Sequence, residues 1–94
     1  MRIQDFQRRI EQIYFARDSA RGLAGTHMWF CEEVGELTRA LRRGKKPELE
    51  GEFADVLAWL ATLASIAGVD LERAALLKYE RGCPRCTQAP CACA

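Results

Sequence analysis

Read from its beginning, the chain places Ile3, Phe6, Ile10, Ile13 and Tyr14 at helical spacing. That recurrence predicts an amphipathic first helix ending near the RGLAG of Arg21 to Gly25. Phe30, Val34, Leu37 and Leu41 then fall at i, i+4, i+7 and i+11, which predicts a second helix capped by Thr26 and stopped by Gly44. The basic LRRGKK suits the negative end of that helix. A third helix is expected from Pro47, placed at its first position with Glu48 and Glu50 in the first turn, to a stop at Gly68. Asp70 caps a short fourth helix through LERAALLKYE. No strand pattern, internal repeat or low-complexity linker interrupts the series. From Gly82 onward Gly, Pro and Cys replace the periodicity. The pattern predicts an all-α fold, a four-helix domain over residues 1–82 followed by a Cys-rich tail over 83–94.

Length changes this picture first. A chain of 94 residues allows one domain, and so small a domain buries too little apolar surface to be very stable without oligomerisation or cross-links. Charge changes it less: Lys and Arg number 14 against 13 Asp and Glu, so the basic excess of a nucleic-acid binder is missing and no nucleic-acid partner is expected. No apolar run approaches the roughly 20 residues of a membrane span, and MRIQDFQRR lacks the apolar core of a signal peptide. The expectation is a soluble, cytoplasmic protein with no membrane partner. Of the five cysteines, Cys83, Cys86, Cys91 and Cys93 crowd into CPRCTQAPCAC, whereas Cys31 lies inside the second helix. In a reducing compartment such a cluster suggests a metal before disulfides.

The acidic residues carry the candidate chemistry. Glu33 and Glu36 share a face of the second helix, and Glu52 and Asp55 repeat that spacing on the third. Glu36 and Glu52 lie eight residues before and after Gly44, and Glu33 and Asp55 eleven before and after it. An antiparallel hairpin turning at Gly44 therefore sets the two pairs at matching heights, since each helix rises about 1.5 Å per residue. Four converging carboxylates must protonate or capture a cation. An all-oxygen set favours a hard ion, Mg²⁺ or Mn²⁺. The competing reading makes them solvated glutamates paired with Arg39, Arg42 and Arg43.

WFCEEVGELTRAL followed by ELEGEFADVLAWLATLA resembles the MazG-like all-α nucleoside triphosphate pyrophosphohydrolases, whose signature is EExxE followed by ExxD. Here Glu32, Glu33 and Glu36 match the first element and Glu52 and Asp55 the second, with fifteen residues between Glu36 and Glu52. The likeness runs from about Phe6 to Tyr79, and YFARDSARG, with Asp18 and Arg21, resembles short single-domain members. It implies Mg²⁺-dependent hydrolysis of (deoxy)nucleoside triphosphates between the α and β phosphates, giving a monophosphate and pyrophosphate, in the service of nucleotide-pool house-cleaning. It also implies that Glu33, Glu36, Glu52 and Asp55 hold the metal. Glu32, about 100° around the helix from Glu33, either holds a second metal, acts as a base, or is simply exposed.

Further residues divide between functional and structural readings. Lys78 neutralises pyrophosphate, as the resemblance implies, or is an ordinary lysine at a helix C-terminus. Arg21 clamps phosphate or ties down its loop. After Lys78 the chain continues KYERGCPRC instead of the Asn and Arg-Tyr pair of many relatives, which puts substrate contacts of that extension in doubt. Trp29 and Trp59, fifteen residues either side of Gly44, stack on a nucleobase one turn above the acids or fill the core. His27 is expected to be exposed or capping, and Cys31 buried as a small apolar residue. The four tail cysteines match a structural zinc site in number, although only four residues separate CxxC from CxC; a compact knuckle, a site completed between subunits, or a disordered thiol tail is expected.

Leu57, Leu60, Leu63 and Ile66 exceed what two short partner helices can cover, so a homodimer or homotetramer is expected, as the resemblance also implies. Two other functions remain open: a non-catalytic helical interaction module with a zinc-binding tail, and a small zinc-linked nucleic-acid binder suggested by CPRC and RRGKK. Retention of all five acids weighs against the first, and near-neutral charge against the second.

Overall fold

A computed structural model describes every residue, 1–94, and every regular element in it is helical: α1 (Ile3–Arg21), α2 (Leu23–Arg43), α3 (Lys46–Ile66) and α4 (Leu71–Tyr79). The expected all-α class and four-helix order are thus observed. No single helix is long and apolar enough to cross a membrane.

The breaks follow local chemistry. Gly22, at φ +90°, donates its N–H to the Asp18 carbonyl (3.1 Å) and launches α2 immediately. The second helix therefore starts at Leu23, not at a cap on Thr26. Thr26 instead sits inside its first turns with no accessible surface, its hydroxyl donating to the Asp18 carbonyl at 3.3 Å. The cap expectation failed because Thr favours caps by competing for backbone groups, and here the group it satisfies belongs to the preceding helix. Gly44 ends α2 in the left-handed conformation, and Arg43 pairs with Glu48 across the turn at 2.8 Å. Pro47 occupies the second helical position of α3, one later than expected. Asp70 does cap α4, accepting from the Arg73 N–H at 3.0 Å.

The α2–α3 hairpin is the body of the molecule, with α1 lying on α3 and α4 turned 96° from α3. Polar side chains join α1 to the rest. Gln7 donates to the Ser65 hydroxyl (3.0 Å) and the Val69 carbonyl (2.8 Å) and accepts from the Leu71 N–H (2.9 Å). Asp18 accepts from the Thr62 hydroxyl (3.0 Å) and Arg21 (3.0 Å). Arg2 forks onto Glu72, tying the start of α1 to α4. These bonds explain why the buried residues include Gln7, Asp18, Thr26 and Thr62, because a polar group leaves water at little cost only when partnered.

The apolar core is correspondingly thin, with Ile10, Ala40, Ala61 and Ala64 buried. Of the α1 stripe only Ile10 is buried; Ile3, Ile13 and Tyr14 stay accessible. Cys31, expected to be buried, is exposed, with its Sγ 3.6 Å from His27 Nε2. The small residues at the close approaches leave larger side chains outward, and Phe53, Leu57 and Leu60 form an exposed stripe on α3.

Candidate functional site

Antiparallel pairing of α2 and α3 about Gly44 fixes which residues meet. Trp29 and Trp59, equidistant from the turn, stack with centroids 6.2 Å apart and planes inclined by 14°. About one to two turns nearer the hairpin bend, ligand oxygens of Glu33, Glu52 and Asp55 lie within 4.8 Å of one another. Glu36 belongs to the same neighbourhood, but its carboxylate faces Arg39 at 3.8 Å. Glu32 is exposed and outside the converging set.

The electrostatics of the cluster are unbalanced. Burial pushes the Glu33 carboxyl above its ordinary 4.5, and the charges of Asp55, Glu52 and Glu36 push it further the same way. Glu52 Oε2 is buried with no hydrogen-bond partner. A buried oxygen left unpaired costs roughly 1–3 kcal/mol and more when charged, so three acids arranged like this fit a hard cation bound among them. The donor set is all oxygen, which suits Mg²⁺ or Mn²⁺ better than a thiophilic ion.

Asp55 also lines a neighbouring cleft of about 320 Å³, together with Tyr14, Arg17, Arg21, Trp29 and Trp59. Arg21 spans two roles here: its guanidinium pairs with Asp18 and lies 5.4 Å from the Trp59 ring centroid, a cation–π distance. The structure thus ties it to the α1–α2 junction while leaving it on the cleft wall. Trp29 is no core residue of the single chain, being 48% exposed, whereas Trp59 is half-buried. Lys78 lies apart from the cleft lining, its ammonium 5.6 Å over the ring of neighbouring Tyr79. His27 is exposed and stacked on Phe30.

A second cluster lies in the tail, where the sulfurs of Cys83, Cys86, Cys91 and Cys93 fall within 4.8 Å of one another and could hold a metal. Backbone N–H groups of Ala92 and Gln88 pull the Cys86 thiol down to about 6, those of Cys86 and Arg85 lower Cys83, and the surrounding sulfurs push Cys93 up to about 11.

Sequence reasoning missed Asp18 and Gln7 as buried connectors, because isolated polar residues on a helix read as solvent-facing. The one available signal was that Asp18 falls four residues before Gly22 on a helix that must end there. Among models of protein families, the chain matches the MazG nucleotide pyrophosphohydrolase domain over residues 22–87. That stretch holds all five motif acids, both tryptophans and Lys78, and excludes α1, Arg21 and the second cysteine pair. No curated protein matches the chain.

Proposed function

Because this chain belongs to the MazG nucleotide pyrophosphohydrolase family, we propose that it hydrolyses (deoxy)nucleoside triphosphates at the α–β bond to a monophosphate and pyrophosphate, with Mg²⁺. One observation carries the reading: Asp55 belongs both to the carboxylate cluster with its unpartnered Glu52 oxygen and to the aromatic cleft. A triphosphate lying across Asp55 sets its phosphates at the acids and its base against an outer indole face of the Trp29–Trp59 pair. Base stacking on an aromatic ring is worth roughly 1–3 kcal/mol and tolerates any base.

Glu33, Glu52 and Asp55 would hold Mg²⁺. Glu36 would add a fourth carboxylate if freed from Arg39, at little cost since an exposed ion pair is worth about 0–1 kcal/mol. When bound, the ion screens phosphate oxygens and lowers the pKa of a coordinated water. The chain's own work is orientation: the hairpin fixes the acids, the Trp29–Trp59 pair fixes the base, and Arg21, locked by Asp18, presents positive charge to the cleft. Water attacks the α-phosphorus and releases a proton to solvent, the bond to the bridging oxygen breaks, and pyrophosphate departs. Lys78 is the cation that the family resemblance assigns to that leaving group, and Glu32, exposed outside the converging set, holds a second metal, acts as a base, or stays in solvent.

The exposed stripe of Phe53, Leu57 and Leu60 on α3, with Val34 and Leu41 on α2, supports a homodimer or homotetramer in which a second copy covers it. The test of the site is Asp55→Asn beside Glu52→Gln, assayed for pyrophosphate release over a range of Mg²⁺. Each is expected to lower kcat by about 100-fold or more, and near wild-type turnover by either would remove the acids from the mechanism.

A further inference from the structure

Beyond α4 the chain has no helix, strand or buried residue, yet residues 82–94 fold into a compact knuckle. The Cys83 N–H bonds the Gln88 carbonyl at 3.0 Å and the Thr87 N–H returns to the Cys83 carbonyl at 2.7 Å. Gly82, at φ +110°, has no room for a side chain: a Cβ there would meet the Gln88 carbonyl carbon and oxygen at 2.9 Å, and both are backbone. This closed loop carries all four tail sulfurs to one point. Cys83 and Cys93 sulfurs are 3.7 Å apart and those of Cys86 and Cys91 3.9 Å, and every cysteine is a free thiol. Zinc–thiolate bonds of about 2.3 Å in a regular tetrahedron require sulfur–sulfur edges of about 3.8 Å. Two further backbone donors point at sulfur, from Ala92 to Cys86 (3.3 Å) and from Cys93 to Cys91 (3.4 Å), the outer-sphere bonding that orients thiolate ligands.

We propose that Cys83, Cys86, Cys91 and Cys93 form a structural tetrathiolate zinc site that folds the tail and anchors it to the end of α4. Four sulfurs close the coordination sphere, as in structural and not catalytic zinc sites. Iron shares the tetrahedral S₄ preference, but Cys91 and Cys93 are exposed and Cys83 and Cys86 only half-buried, which favours the redox-inert ion. A segment with no core of its own gains its stability from the metal, so knuckle folding and zinc binding are one equilibrium. The site is independent of nucleotide hydrolysis, using none of the residues assigned to it.

The experiment uses the full chain purified without chelator, with metal content measured by plasma mass spectrometry. About one zinc per chain is expected, retained in Cys31→Ser and lost in Cys86→Ser and Cys91→Ser, with helical circular dichroism unchanged. Cobalt substitution should give the visible bands of a tetrahedral thiolate site and near-ultraviolet sulfur-to-cobalt charge transfer. In wild type, four of five thiols should resist a thiol reagent until a chelator is added, a readout needing no variant. Full zinc retention in Cys86→Ser, iron in place of zinc, or five freely reacting thiols in zinc-loaded protein would each overturn the assignment.

Discussion

Glu33 is the residue whose behaviour reports most directly on the carboxylate cluster. Its folded-state pKa is raised above 4.5, so its contribution to stability is present below that value and fades as pH rises through the raised one. Metal-free protein should therefore lose thermal stability relative to Glu33→Gln as the pH is brought from 4.5 toward neutrality. Added Mg²⁺ should reverse the loss in wild type and do little for the variant; differential scanning fluorimetry at several pH values with and without chelator reads both. Asp18 offers a separate check. Thr62→Val removes a hydrogen bond to a buried carboxylate, and denaturant unfolding should show a loss of about 1.5–3 kcal/mol. Glu33, Glu52 and Asp55 were legible in the sequence because two helices of fixed rise about one glycine leave only one register. The outward turn of Glu36 was not, since a rotamer choice between a cluster and Arg39 leaves no trace in spacing.

At the scale of elements, the hairpin and the stacked tryptophans follow from the same counting about Gly44, and the four helices lie where apolar periodicity put them. The start of α2 did not, because Gly22 breaks the chain four residues before the threonine that looked like a cap. Burial was also misjudged: helices in this fold meet through Ala40, Ala61 and Ala64, and the larger apolar residues that dominate the periodic pattern face outward. Ala61→Leu should consequently destabilise by about 1–3 kcal/mol through overpacking, measurable in urea. The tryptophan pair should respond to substrate, with nucleotide altering intrinsic fluorescence. Trp29→Ala should raise KM about tenfold, in line with the roughly 1–3 kcal/mol of a stacked base, and leave helical content unchanged.

Viewed as a whole molecule, one chain buries only eight of 94 residues, a thin core for a domain already small enough to be marginal. Sedimentation should find a dimer or tetramer, and Leu57→Asp on the exposed stripe should shift it toward monomer with loss of thermal stability. Which bond this protein breaks in a nucleoside triphosphate can be read by phosphorus-31 NMR of the nucleotide incubated with the protein and Mg²⁺. Monophosphate and pyrophosphate signals should grow together, and neither should appear with Asp55→Asn. Nucleoside diphosphate with orthophosphate would contradict α–β cleavage, as would no turnover of any nucleotide by folded, metal-loaded protein, which would leave a helical interaction module in its place.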